Sequence, residues 1–204
     1  MGFELDHIVV SASPLGDGTA ALERALGVPL QAGGQHALFG THNTLLSLGT
    51  EDYLEVIAVD PSAAPLNHAR WYDLDRFAGR PRLTNWAIRT HDLEAALAAM
   101  GDGFGTPVAV TRGDLAWRMA VPKNGVLPFD NCAPAFIQWD TPPPGPRLTD
   151  QGCLLEKLIV RHPEAAALAA LLTEHFEDDR VVFERGTPGL SAVIKTPTGS
   201  AVVA

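Results

Sequence analysis

An internal repeat constrains the fold of this 204-residue chain more than any other feature of its sequence. Residues 5–61 read as a strand, a helix and three short alternating strands, separated by Gly, Asn and Asp turn residues. The same order returns in 83–140, and a shortened copy begins at Leu154. Strands that bury one face need helices to cover it. The repeat therefore predicts an α+β fold built from strand-helix-three-strand modules.

The repeat divides the chain into five segments of one domain. Two complete modules, with their sheets turned toward each other, are expected to enclose a half-barrel cleft. In the segment between them, Leu66, Trp71, Leu74 and Phe77 predict a short amphipathic helix over the cleft or an interface. The segments are a first module (1–61), a connector with this helix (62–81), a second module (82–140), a Pro/Gly-rich connector (141–153) and a third, partial module (154–204).

Composition excludes several classes of partner. The net charge is −9 and no cluster of Lys and Arg forms a stripe, so neither nucleic acid nor an anionic membrane is expected. No segment approaches 18 consecutive apolar residues, so no membrane span is predicted. Cys132 and Cys153 share no short metal-binding spacing, and no secretory signal is visible. These features predict a cytoplasmic protein with reduced cysteines.

Three stretches of the first module together carry a family resemblance: "LDHIVVSAS", "GGQHALFGTHNTLLSLG" and "DYLEVIAVDP". They resemble the glyoxalase-like domain proteins of the vicinal oxygen chelate superfamily. The resemblance implies paired modules around a cleft that holds a divalent metal. The metal ligands are a His from the first strand and a Glu from the last strand of the modules. Members include lyases, isomerases, epimerases, dioxygenases and drug-sequestering proteins. The resemblance also implies a homodimer.

The resemblance assigns His7 and Glu55 as metal ligands and as the catalytic pair. Strand alternation places His7 on one face with Val9, and Glu55 on one face with Ile57. A carboxylate among apolar neighbours is costly to bury without a cation or hydrogen-bond donors. Two other interpretations stay open: His7 as a core or cleft-edge ring with a backbone partner, and Glu55 as a charged residue on an edge strand.

The second module does not complete a metal site. Asn85 or Trp86 stands where the resemblance expects a His, and Gln138, or Ala135 on a different count, stands where it expects a Glu. Catalytic transition-metal sites generally use three protein ligands, and this sequence clearly supplies two. Either a divalent metal (Zn, Ni, Mn or Fe) finds its third ligand elsewhere, or no metal binds.

Six further residues are candidates for binding a substrate. His36 and His42 lie in a glycine-rich loop that would let backbone approach a ligand, and Asn43 follows; all three could instead be polar loop or turn residues. Arg118 alternates with large apolar neighbours. If those neighbours face a helix, Arg118 faces the cleft, where it would bind a carboxylate; the other interpretation is that Arg118 forms an ion pair with an acidic side chain. Trp86 walls the cleft or packs in the core. The full set is His36, His42, Asn43, Trp86, Arg118 and Gln138.

Two functions follow from this pattern. The first is an enzyme: a metal-dependent lyase or isomerase acting on a small oxygen-rich or carboxylate-bearing molecule. The second is a metal-free protein of the same fold that binds or sequesters a small molecule. The missing ligands of the second module favour the second function, and the fold alone does not separate the two.

Overall fold

The computed structural model describes residues 2–204, which form two sheets and three α-helices. The first module comprises β1 (Glu4–Ser11), α1 (Leu15–Leu26), β2 (Gln31–His36), β3 (Thr41–Ser47) and β4 (Tyr53–Val59). The second comprises β5 (Arg82–Arg89), α2 (Leu93–Met100), β6 (Thr106–Arg112), β7 (Leu115–Val121) and β8 (Ala135–Trp139). The third comprises β9 (Leu154–Arg161), α3 (Ala165–Leu172), β10 (Val181–Glu184), β11 (Gly189–Thr196) and β12 (Gly199–Val203). Short 3-10 helices span Trp71–Arg76 and Gly145–Arg147.

The first two modules share one sheet with the strand order β2-β3-β4-β1-β5-β8-β7-β6. In each module the first strand pairs in parallel with the last, β1 with β4 and β5 with β8. The modules meet where β1 pairs antiparallel with β5. The sheet curls so that its edge strands, β2 and β6, come into contact. The predicted α+β class, with two modules around a half-barrel cleft, is confirmed.

The helix ends follow from local sequence. Gly27 ends α1 in the left-handed conformation (φ 71°) and its N–H donates to the carbonyl of Glu23, as a glycine beyond a helix commonly does. Asp92 begins α2, and its carboxylate accepts a hydrogen bond from the N–H of Ala95. These helices cover the convex side of the large sheet, where their apolar faces are buried.

The third module forms a separate four-stranded sheet with the order β10-β9-β11-β12. Its first strand lies between two others and pairs in parallel with the strand that follows the helix, so its pairing differs from that of the first two modules. This sheet packs on the convex side of the large sheet. There the ring of Trp86 lies 5.8 Å from that of Phe176 and 6.3 Å from that of Phe183.

Two apolar clusters result. The convex-side cluster combines residues of all three modules, such as Leu22, Leu93 and Leu158. The second cluster fills the concave side, which we call the cleft, and includes Val9 and Trp117. The cleft is therefore mostly filled by side chains.

Residues 62–81, which we call the strap, supply part of that filling. Trp71 and Leu74 are buried in the cleft cluster and Phe77 packs against it. The predicted helix is a 3-10 helix in which Tyr72 and Asp73 have left-handed φ angles of 58° and 55°. Within residues 2–204, no helix has the length and apolar character needed to cross a membrane.

Candidate functional site

A small closed cavity of about 30 Å³ lies in the cleft beneath the strap. Apolar and aromatic side chains form most of its wall. Its polar lining comes from β1, β2, β3, β4, the strap and β6, through His7, His36, Asn43, Glu55, Tyr72 and Arg112.

His7 is held by its neighbour in sequence. A register shift between Leu5 and His7 in the β1–β5 pairing marks a bulge at Asp6. His7 Nδ1 lies 2.6 Å from Asp6 Oδ1, and Trp139 Nε1 donates to Asp6 Oδ2 at 2.9 Å. Both side chains are buried. A carboxylate on Nδ1 fixes the orientation of the ring and turns Nε2 toward the cavity.

The structure brings His7 and Glu55 together. His7 Nε2 lies 3.6 Å from Glu55 Oε2 and 3.2 Å from the Tyr72 hydroxyl. With Nδ1–H donated to Asp6, Nε2 offers a lone pair to this space, and the Tyr72 hydroxyl donates to it. A lone pair and a carboxylate oxygen thus face each other across the cavity, an arrangement that favours a proton or a cation between them.

Asn43 orients Glu55. Asn43 Nδ2 donates to Glu55 Oε1 at 2.6 Å, while Asn43 Oδ1 accepts from the Gly34 N–H at 2.8 Å and from Arg112 Nη1 at 3.0 Å. Because the amide carbonyl has two donors, its NH₂ must point at Glu55. Asn43 is therefore a buried residue that lines the cavity, and not a turn residue.

The glycines of β2 make room for side chains. A Cβ at Gly33 would lie 2.0 Å from Asn43 Oδ1, and a Cβ at Gly34 would lie 2.8 Å from Arg112 Cδ. Arg112, at the end of edge strand β6, crosses β2 at this point to reach the cavity. The sequence predicted that these glycines let backbone approach a ligand; in the structure they admit Asn43 and Arg112 instead.

His36 lines the cavity as a neutral ring. Arg112 Nη1 donates to His36 Nε2 at 3.0 Å, and His36 Nδ1 lies 3.0 Å from the Thr41 hydroxyl. Burial, followed by the charge of Arg112, lowers the pKa of His36 from 6.5 to about 3. Arg112 thus bonds only neutral acceptors, and no carboxylate of residues 2–204 lies within 4.0 Å of its guanidinium nitrogens.

Two tyrosines complete the polar lining. Burial raises the pKa of Tyr72 well above its ordinary value, and the charges of Glu55 and Asp6 raise it further. The hydroxyl of Tyr72 therefore remains a hydrogen-bond donor at neutral pH. Tyr53 stacks on His7 with ring centres 4.7 Å apart, and burial raises its pKa in the same way.

Three predicted residues of the second module lie on the other side of the sheet. Trp86 is buried in the convex-side cluster, where its Nε1 donates to the carbonyl of Cys132. Arg118 pairs with Glu94 of α2 at 2.6 Å. Gln138 Oε1 accepts from the N–H of Leu93 at 2.9 Å, at the start of α2. The prediction that these three residues face the cleft is wrong.

The reason is the direction of the alternation. Trp117 and Met119 face the cleft rather than the helices, so Arg118 between them faces α2. His42 is displaced in the same manner: it lies on the opposite face of β3 from Asn43 and does not line the cavity.

Comparison with known proteins agrees with this geometry. The family model described as "Glyoxalase-like domain" matches residues 5–176. The chain belongs to the glyoxalase-like domain family. The resemblance of the first module to this family is thereby confirmed. No curated protein matches the chain in sequence.

One solved structure shows the same fold over nearly the whole chain. A hypothetical protein from Staphylococcus aureus is 17% identical, with a TM-score of 0.60, over 99% of this chain and 84% of its own. A hypothetical protein from Bacillus halodurans is 18% identical, with a TM-score of 0.42, over 68% of this chain and 94% of its own. A methylmalonyl-CoA epimerase from Mycobacterium tuberculosis is 18% identical, with a TM-score of 0.41, over 68% and 88%. The last two scores are too low to bear on function.

The donor set of this glyoxalase-like chain falls short of a resident transition-metal site. His7 Nε2 and Glu55 Oε2 converge, and Asp6 holds Nδ1 as outer-shell carboxylates do in metal sites. However, residues 2–204 contain no group of three His, Cys, Asp or Glu side chains placed to hold a metal. Asn85, at the position of the missing histidine, is buried opposite Val9 and does not line the cavity. The residues present do not fit the three-ligand site that the resemblance implies.

Proposed function

We propose that the protein binds a small carboxylate-bearing molecule in the cleft and catalyses a lyase- or isomerase-type reaction that begins with proton transfer to Glu55. The observation that carries this proposal is the convergence of Glu55 Oε2 and His7 Nε2, 3.6 Å apart, on a closed cavity that Arg112 also lines. A base and a second proton-transfer group in a water-poor site, beside an unpaired cation, suit proton removal next to a carboxylate or carbonyl group.

The two proton-transfer groups have distinct supports. Asn43 holds one oxygen of Glu55, which leaves Oε2 to accept a proton from the substrate carbon. Asp6 holds Nδ1 of His7, so its Nε2 can take that proton from Glu55 and return one to the product. Both supports are buried and keep the acceptor atoms aimed at the cavity.

Two donors suit the charge that forms on the substrate. Arg112 has guanidinium N–H groups beyond the Nη1 bonds to His36 and Asn43, and these can hold the substrate carboxylate. When a proton leaves the carbon next to a carbonyl, the electron pair moves to the carbonyl oxygen. The protonated hydroxyl of Tyr72, which donates to His7 Nε2 in the structure, can turn from that nitrogen and donate to the substrate oxygen.

We infer that this reaction runs without a resident metal. A divalent cation would polarise a substrate oxygen, and His7 and Glu55 are the residues that would hold it. The third protein ligand that catalytic metal sites generally use is missing beside these two residues within the described part of the chain, so the proposed reaction has no metal-dependent step. The expected homodimer and cytoplasmic location stay predictions.

The alternative function is sequestration of a small molecule without turnover. It is favoured by one observation, the closure of the cavity by the strap residues Trp71 and Tyr72. A volume of about 30 Å³ accommodates only one or two water molecules, so any substrate requires the strap to move. A protein that sequesters its ligand needs the same closure but no base.

Solvent-deuterium exchange distinguishes the two functions. We expect the protein to exchange the C3 protons of 2-oxobutanoate in D₂O: Glu55 takes a C3 proton, the electron pair forms the enolate, and a solvent deuteron replaces the proton. Glu55→Gln should slow the catalysed exchange by about 10²-fold or more. The rate is measured by proton NMR above the protein-free background, with Glu94→Gln as the matched control because Glu94 is an exposed carboxylate on α2.

Binding of 2-oxobutanoate without any catalysed exchange would contradict the enzymatic function and leave sequestration. Equal exchange rates in Glu55→Gln and the unmodified protein would also contradict it, because the rate would then arise outside the proposed base.

A further inference from the structure

A second, much larger concavity adjoins the cavity. It has a volume of about 1650 Å³, opens to solvent and is lined mainly by apolar side chains. We call it the outer groove. Its apolar lining includes Leu38, Phe39, Val108, Val121, Val126 and Leu127. Leu38 is 43% exposed there, an unusual degree of exposure for a large apolar side chain.

The outer groove and the cavity lie along the same strands. On β6, Val108 lines the groove and Arg112, four residues further on, lines the cavity. On β7, Val121 lines the groove and Trp117, four residues earlier, lines the cavity. Residues four apart share a face, and a strand rises about 3.3 Å per residue, so the two compartments are centred about 13 Å apart on one surface. The groove therefore adjoins the cavity along the cleft face of β6 and β7, and its far wall is formed by Leu97 and Ala98 of α2.

A pair of stacked rings separates the groove from the cavity. Phe39 of the β2–β3 turn lines the groove, Trp71 of the strap lines the cavity, and their rings stack 4.1 Å apart. The indole N–H of Trp71 is buried and has no hydrogen-bond partner in the described part of the chain. A buried donor without a partner is costly and is satisfied by a ligand that supplies an acceptor. Trp71 thus stands between the compartments with a donor free for a bound molecule.

The strap that carries Trp71 is held in a strained conformation. Tyr72 and Asp73 follow Trp71 with left-handed φ angles, and the N–H of Asp73 donates to the carbonyl of Gly125 in the β7–β8 loop. Left-handed backbone is strained at a residue that is not glycine. Displacing this short segment would release strain and join the groove to the cavity.

The charges differ at the two ends of the joined cleft. At the inner end, Arg112 has no carboxylate within 4.0 Å among residues 2–204 and is free to meet an anion. At the outer end, the groove wall is apolar over Leu38, Val108, Val126 and Leu127. The complement of this surface is a molecule with a carboxylate at one end and an extended apolar chain at the other.

We propose that the outer groove is the chain-binding part of the substrate site, so that the substrate is an amphipathic carboxylate whose head reaches Arg112 and whose apolar chain lies in the groove, with the Phe39–Trp71 pair displaced on binding. This inference rests on the proposed function for the position of the carboxylate. The length and apolar character of the chain come from the groove.

Chain-length dependence of binding tests the inference. Calorimetric titration with octanoate, decanoate, dodecanoate and tetradecanoate, whose chains extend from the cavity into the groove, should show affinity rising about three- to fourfold for each added methylene, because each buried methylene contributes about that factor. Leu38→Glu and Val126→Glu place a carboxylate in the groove and should remove the dependence on chain length. Val202→Glu is the matched control, because Val202 is 68% exposed on the third module and lies outside the groove.

The head group is tested separately. Arg112→Gln should remove the preference for octanoate over octanamide, while Arg118→Gln, a change in an arginine paired with Glu94, should leave it intact. If short and long carboxylates bind equally and binding still needs Arg112, the groove inference is overturned and the proposed function stands. If no carboxylate binds, both fail. A chain-length dependence that persists in Leu38→Glu and Val126→Glu also overturns the groove inference.

Discussion

At the scale of single residues, the site depends on a chain of supports. Asn43 orients Glu55 because its carbonyl already has two donors, and Asp6 orients His7 from the adjacent position. The sequence predicted His7 and Glu55 from strand alternation and the family resemblance, and His36 and Asn43 from the glycine-rich loop; all four line the cavity. It missed Arg112, which reaches the cavity only because the two edge strands meet over Gly34. No residue spacing in the sequence predicts that the side chain of Arg112 crosses β2.

The buried ring of His36 predicts a stability loss in acid. The pKa of His36 falls from 6.5 to about 3 on folding. Between these two pH values, His36 binds a proton in the unfolded chain but not in the folded chain. This residue's contribution is present above pH 6.5 and is lost as the pH falls toward about 3, at about 1.4 kcal/mol for each pH unit. His36→Gln should therefore give a shallower fall in the free energy of unfolding between neutral pH and about pH 5.

Urea unfolding at several pH values in this range measures both slopes. Parallel slopes in His36→Gln and the unmodified protein would mean that the ring takes up its proton while the protein is folded.

At the scale of elements, the strap and the direction of alternation decide what the cleft contains. The alternation along β7 places Trp117 and Met119 on one face of the strand and Arg118 on the other. It does not show which of the two faces is turned toward the helices. The choice was wrong because the strap and the cleft form a second apolar cluster, which the large residues of β7 join. Tyr72 was missed for a related reason, since its position depends on how the strap folds over the sheet.

Gly125 is predicted to hold the strap in place. Its φ is 74°, and a Cβ there would lie 2.0 Å from the carbonyl oxygen of Arg70, at the start of the strap helix. Gly125→Ala should force the strap away from the β7–β8 loop. Hydrogen exchange of peptides covering 62–81 should then become faster, as measured by mass spectrometry.

Gly113→Ala is the matched control for this change. Gly113 also has a left-handed φ, 59°, but a Cβ there would meet nothing within 4 Å. It should cost about 1 kcal/mol without altering exchange in the strap. Equal exchange of the strap in both variants would show that Gly125 does not hold it.

At the scale of the whole molecule, we predict that the third module unfolds together with the first two. The repeat in the sequence predicted that a third module exists, but not that its first strand lies inside its sheet or that the sheet covers Trp86. Those features depend on contacts between distant segments: the convex-side cluster unites Trp86, Leu93 and Leu158 from the second and third modules.

Leu158→Ala tests this cooperativity. Leu158 is fully buried on β9, and its truncation should cost about 2–5 kcal/mol. Trp71 lies in the strap and the other three tryptophans lie in the second module, so their fluorescence reports on those two segments and, through Trp86, on the contact with the third module. Thermal unfolding followed by tryptophan fluorescence and by far-UV circular dichroism should show one transition at the same lowered temperature. Separate transitions for the two signals would contradict a single unit, and Val202→Ala should leave both unchanged because that side chain is exposed.

We propose above that Glu55 and His7 transfer the proton without a bound metal ion. The most direct measurement is deuterium exchange into 2-oxobutanoate by protein dialysed against a chelator, with the metal content of the same sample determined by elemental analysis. We expect the exchange rate to be unchanged after the metal is removed and to be lost in Glu55→Gln. A rate that disappears with the metal and returns on addition of Zn²⁺, Ni²⁺, Mn²⁺ or Fe²⁺ would show instead that the reaction requires a metal.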